Sequence, residues 1–132
     1  MSKRTLKPPR LVNIAELPEF TQGCINLQID KNTVRGLYLV LAENPLLGVP
    51  VRGYPGLIEL PFAGFRLLYV VGGNFSNIYL LCLLEKGDVI PAPSSEDGKA
   101  ITRLVRTLAK GGLLILVREG LEVLWEFLRD WF

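Results

Sequence analysis

Residues 65–86 constrain the fold of this chain more than any other stretch. They read FRLLYVV, GGNFSN and IYLLCLLEK: two apolar runs joined by a turn rich in Gly and Asn, with a charged residue near each outer end. Two β-favouring runs flanking such a turn predict an antiparallel hairpin. Even the alternate positions are mostly apolar, so both strands belong inside a sheet packed on at least one face. Arg66 and Lys86 are the exceptions, and any chemistry the chain performs begins with them.

Around this hairpin the chain alternates between helical periods and breakers. Residues 11–14 read as a short strand. Pro18 suits the first turn of a short helix running to about residue 27. Asp30 is a candidate N-cap for a second helix, whose Val34, Leu37, Tyr38 and Leu41 fall at i, i+3, i+4 and i+7 and so share one stripe. Asn44-Pro45 ends it, because the residue before proline is pushed out of the helical region. The two helices are expected to form a hairpin across one face of the sheet. Glycines and prolines make residues 47–56 a loop. Residues 57–62 are a further strand, which Pro61 assigns to an edge or a strand end.

Residues 87–95 are expected to be irregular. Ser94 or Ser95 caps the next helix, with Asp97 at capping-box distance from Ser94. Ile101, Leu104, Val105 and Leu108 form its stripe, and Gly111-Gly112 stops it. Residues 113–129 read as a second C-terminal helix with Val117, Leu121, Leu124, Trp125 and Leu128 on one side. That stripe either closes the core or offers a dimer or partner surface anchored by Leu121, Trp125 and Leu128. Its polar face is acidic and would be repelled by anionic lipid, so no membrane partner is expected. The layout is a basic arm at 1–10, an α+β domain at 11–110 and an amphipathic extension at 111–132. The arm is either an unstructured terminus or a contact for an acidic partner or an RNA backbone.

Composition narrows the chemistry. Lys3, Arg4, Lys7 and Arg10 make the arm basic, yet residues 11–112 hold nine bases and nine acids, so the body does not attract phosphate by bulk charge. With no histidine, histidine-based metal sites and triads are excluded. No metal or cofactor is expected. Cys24 and Cys82 match no ligand spacing and read as small buried hydrophobes. No signal peptide is visible and the apolar runs are too short or too interrupted to span a bilayer, so a cytoplasmic protein is expected.

The order of elements, and several pieces of sequence, resemble the RelE/HigB-type toxin superfamily of bacterial toxin–antitoxin modules. The pieces are a helix ending in Asn44-Pro45 with Gly48 soon after, Gly56-Leu57 opening a strand, Phe65-Arg66-Leu67-Leu68-Tyr69, and Ile78-Tyr79-Leu80-Leu81 running on to Lys86. The resemblance covers about residues 11–108 and implies a RelE-like fold with an antitoxin protein as partner. It also implies metal-free endoribonuclease activity on mRNA, mostly in the ribosome. Arg66 and Lys86 match the family's strand arginine and lysine, and Glu59 is the one candidate general base. Arg52 is a further candidate for RNA binding. The family's Arg-Lys-x-Arg after Gly-Leu is here Ile58-Glu59-Leu60-Pro61, which argues for weakened or lost activity. The alternative is an inactive RelE-fold binding or assembly protein acting through its C-terminal helix, as a homodimer or with another partner. The residues alone leave Arg66 and Lys86 open between structural and phosphate-binding roles, because Glu59 is a ready ion-pair partner. One site requires both on one side of the sheet, with hairpin partners of even sum such as Arg66 opposite Leu84.

Overall fold

The computed structural model describes residues 12–72 and 76–110. In chain order the elements are β1 (Asn13–Glu16), α1 (Pro18–Asn26), α2 (Lys31–Glu43), β2 (Val49–Pro50), β3 (Leu57–Phe62), β4 (Phe65–Gly72), β5 (Asn77–Leu84) and α3 (Glu96–Ala109). The strands form one sheet in the order β1-β5-β4-β3-β2. β1 runs parallel to β5 and every other pairing is antiparallel. This is the α+β arrangement expected from the sequence. The arm at 1–10 and the extension with Leu121, Trp125 and Leu128 lie outside the described residues. Among the described residues no helix is long and apolar enough to cross a membrane.

Local chemistry explains where the helices start. Pro18 occupies the first position of α1 behind an extended Leu17. Asp30 caps α2, its carboxylate accepting from the Thr33 backbone N–H at 2.7 Å. Ser95 caps α3, its hydroxyl oxygen accepting from the Gly98 N–H at 2.9 Å. The Ser94–Asp97 capping box is therefore not formed, since the chain enters the helix one residue later.

Two strands differ from expectation. The first lies at Asn13–Glu16 rather than 11–14, because its ladder starts opposite Asn77, where β5 begins. β2 falls inside the anticipated loop. The Tyr69 hydroxyl donates to the Pro45 carbonyl at 2.9 Å and accepts from the Gly48 N–H at 3.1 Å, which holds that loop over β4. Val49 and Pro50 are thereby laid against Glu59 and Ile58. As an edge strand, β2 tolerates the proline.

β3 and β4 are joined by Ala63-Gly64, both with positive φ (53° and 85°), the backbone of a type I′ hairpin turn. Side chains then sort by parity. Leu57, Leu68, Val70 and Leu81 pack under Ile101 and Leu104 of α3. Ile58, Leu67, Tyr69 and Leu80 pack against Phe20 of α1 and Leu41 of α2. Covering both faces is why the central strands read as continuous apolar runs. A β-bulge interrupts the β4–β5 ladder: Leu68 pairs with Cys82 but Tyr69 pairs with Leu80, leaving Leu81 as the extra residue.

Candidate functional site around Arg66

Arg66 pairs with Leu84 across the β4–β5 ladder, so the even-sum condition holds at this end of the hairpin. Inside the bulge the parity reverses. Glu59 pairs with Leu68 and therefore shares the α3 face of the sheet with Arg66, one diagonal step away.

The guanidinium of Arg66 is enclosed. Its Nε donates to Glu59 Oε2 at 2.9 Å and its Nη2 donates to Glu59 Oε1 at 3.2 Å, a two-armed ion pair. Nη1 donates to the Asp88 carbonyl at 2.5 Å and, more distantly, to the Glu85 carbonyl at 3.5 Å. Residues 85–88 are themselves a tight turn. The Asp88 N–H donates to the Glu85 carbonyl at 3.0 Å, and the Glu85 N–H donates to Asp88 Oδ2 at 2.8 Å. Arg66 thus ties β3, β4 and the turn after β5 together. The Glu59 carboxylate, through its hydrogen bonds and its charge, holds the guanidinium above its already high pKa, with Asp88 adding to the effect.

Lys86 is not the last residue of a strand. β5 ends at Leu84, and Lys86 sits exposed inside the Arg66-bound turn, because the Arg66–Asp88 bond bends the chain away from the sheet. The structure therefore brings Arg66, Glu59 and the turn carrying Lys86 to one end of the sheet. Arg52, exposed after β2, makes no hydrogen bond or ion pair to that group. Arg66–Glu59 is the ion pair found among the described residues.

This arrangement restricts the chemistry. A phosphate approaching Arg66 has to displace a carboxylate that already uses both arms of the fork. Glu59, accepting from Arg66 with both oxygens, is held away from a general base's task, which requires a proton donor of the substrate within hydrogen-bond reach. The described residues contain no group of three His, Cys, Asp or Glu able to hold a metal. Both thiols are buried. Burial and the Glu16 charge push Cys24 up to about 11, and burial pushes Cys82 well above the ordinary range, so neither is a thiolate at neutral pH.

The sequence sets Arg103, Arg106 and Lys110 apart from the apolar stripe of α3, and the structure adds Lys99 to them. Lys99, Arg103 and Arg106 on α3 and Lys110 at its C-cap are all exposed and follow one another by four, three and four residues, which places them on a single outward stripe.

No family model matches the sequence, and no curated protein matches it. Among solved structures, a chain of the archaeal RelE–RelB complex from Pyrococcus horikoshii OT3 is similar, with a TM-score of 0.45 and 15% identity. The match covers 60% of this chain and 99% of that chain.

Proposed function

We propose that this chain is a RelE-type protein that has lost ribonuclease chemistry and acts as a binding and assembly protein. The observation that supports this reading is the closed fork of Arg66. Of five guanidinium N–H donors, four contacts go to Glu59, Asp88 and Glu85. Freeing the fork for a phosphate means breaking a charge-assisted pair and loosening a turn before any binding is gained. The Ile58-Glu59-Leu60-Pro61 stretch, where the resembled family carries bases, is the sequence counterpart of that closure. In this reading the anchors of recognition are Leu121, Trp125 and Leu128, and the partner is a protein: an antitoxin-like chain or a second copy.

Expression of the full chain in a bacterial host, with primer-extension mapping of mRNA ends, tests this. Unimpaired growth and unchanged ends are expected for the wild type. Growth arrest with new mRNA ends, both abolished by Arg66→Ala, overturns the proposal.

A metal-free endoribonuclease remains the second reading, favoured by two observations. Lys86 lies on the turn that Arg66 binds, and α3 presents four cations along roughly 16 Å of helix, a surface suited to an RNA backbone. Under it, Arg66 and Lys86 stabilise the phosphorane, Glu59 activates the 2′-hydroxyl, and Arg52 contacts RNA.

A further inference from the structure

The side of α3 turned away from the sheet is almost wholly cationic. Ile101, Leu104, Val105 and Leu108 are buried against the sheet. By helix geometry, Lys99, Arg103, Arg106 and Lys110 fall within roughly 60° of arc on the opposite side. Glu96, in the first turn, lies beside the N-terminal end of this row, and half-buried Thr102 and Thr107 form its flanks. Both threonine hydroxyls are spent on the helix itself. Thr102 donates to the Gly98 carbonyl at 3.0 Å and Thr107 to the Arg103 carbonyl at 2.8 Å.

None of the four cations has an ion-pair partner among the described residues, where the pair found is Arg66–Glu59. The helix dipole accounts for Arg106 and Lys110 at the C-terminal end, but not for Lys99 and Arg103 nearer its positive end. Like charges three and four residues apart weaken the helix that carries them, a cost that an anion bound from outside removes.

The surroundings of the row choose among anions. A nucleic-acid strand calls for basic excess around the row and for aromatic faces on which bases stack. Residues 11–112 hold nine bases and nine acids, and the exposed large hydrophobic residues among those described are Ile, Leu and Val, none aromatic. A lipid surface calls for apolar side chains beside the cations, and none of the exposed large hydrophobic residues lies on α3. A row of carboxylates on a helix asks for neither. Glutamates at i, i+4, i+7 and i+11 repeat the spacing of the four cations, a pattern that reads the same in either direction. The planar forks of Arg103 and Arg106, in the middle of the row, suit carboxylates.

We propose that the outer row of α3 docks an acidic helical segment of a partner protein through carboxylates at matching spacing. This rests on the binding-protein reading and names the partner's chemistry, and its test is independent of RNA cleavage.

The probe is a dye-labelled alanine-based peptide with glutamates at i, i+4, i+7 and i+11, added to the full-length protein and followed by fluorescence anisotropy. Binding is expected, weakening as salt is raised. Arg103→Glu and Arg106→Glu should each weaken it roughly tenfold while leaving the far-UV spectrum of the protein unchanged, because both side chains are exposed. A peptide of the same composition with its glutamates scrambled should lose a similar factor. The double charge reversal should instead bind a peptide with lysines in place of the glutamates. Competitors are oligouridylate and vesicles of phosphatidylcholine with phosphatidylserine, neither of which should displace the glutamate peptide at equal concentration of charge. The proposal is overturned if the glutamate peptide does not bind, if the scrambled peptide binds as well, or if binding ignores both reversals. Displacement by oligouridylate or by vesicles also overturns it, assigning the row to RNA or to lipid. Any of these results leaves the loss of ribonuclease chemistry to be judged by the growth assay.

Discussion

Replacing Arg66 by Ala separates a structural staple from a ligand-binding arginine through the size of its effect on stability. An arginine waiting for a ligand has few partners in the free protein, and its removal changes stability by no more than about 0.5 kcal/mol. Here the removal breaks a two-armed pair whose side chains are 26% and 31% exposed. Partial exposure limits that pair to the upper end of the surface range, about 1 kcal/mol. The bond to the Asp88 carbonyl adds about another 1 kcal/mol, discounted from buried values because the turn is exposed. The sum, about 2 kcal/mol, lowers the thermal midpoint by roughly 10 °C for a domain of this size. Thermal and urea unfolding of wild type, Arg66→Ala, Glu59→Gln and the double variant supply the numbers. The cycle should show a coupling of about 1 kcal/mol between Arg66 and Glu59, and Arg66→Lys should recover only part of the loss because it lacks the fork. Arg66→Ala as stable as wild type, with no coupling to Glu59, would refute the reasoning.

Other substitutions check the fold that carries the site. Tyr69→Phe leaves the Pro45 carbonyl and the Gly48 N–H without their shared partner and should cost about 1–3 kcal/mol in urea unfolding. Ala63 holds a left-handed φ of 53° in a turn that favours Asn-Gly. Ala63→Asn should therefore raise stability by about 0.5–1 kcal/mol, measured the same way. Cys24, with its pKa raised from 9.0 to about 11, should resist iodoacetamide in the native state at pH 8, and its labelling should climb steadily until about pH 11. The unfolded thiol ionises first, so the stability Cys24 contributes is complete below about pH 9 and is lost as pH rises towards 11. A midpoint insensitive to Cys24→Ser over that window would count against the assigned burial.

Much of this architecture was visible because local signals and packing agree. Pro18, Asp30 and the Asn44-Pro45 stop fixed α1 and α2 at the level of single residues. The apolar density of residues 65–84 announced strands covered on both faces. What stayed hidden depends on contacts between distant parts of the chain. β2 exists because a tyrosine hydroxyl two strands away holds residues 45–48 in place, and no periodicity in Val49-Pro50 reports that. The bulge at Leu81 leaves no mark in a run where every residue is apolar. At the site, the pairing of Arg66 with Glu59 could be anticipated from strand neighbours. The closing of residues 85–88 over Nη1 could not, since it uses backbone carbonyls, which every sequence supplies. The position of Lys86 in a turn past the end of β5 follows from that contact.

The availability of the Arg66 fork is most directly read from the Nε–H resonance of that side chain by heteronuclear NMR. The protein should show a slowly exchanging Nε–H near neutral pH that disappears into fast exchange in Glu59→Gln and does not move when single-stranded RNA is added to the wild type. A fast-exchanging Nε–H in the wild type, or one that shifts on titration with RNA, would mean that the arginine is free to bind phosphate and that the binding-protein account is wrong.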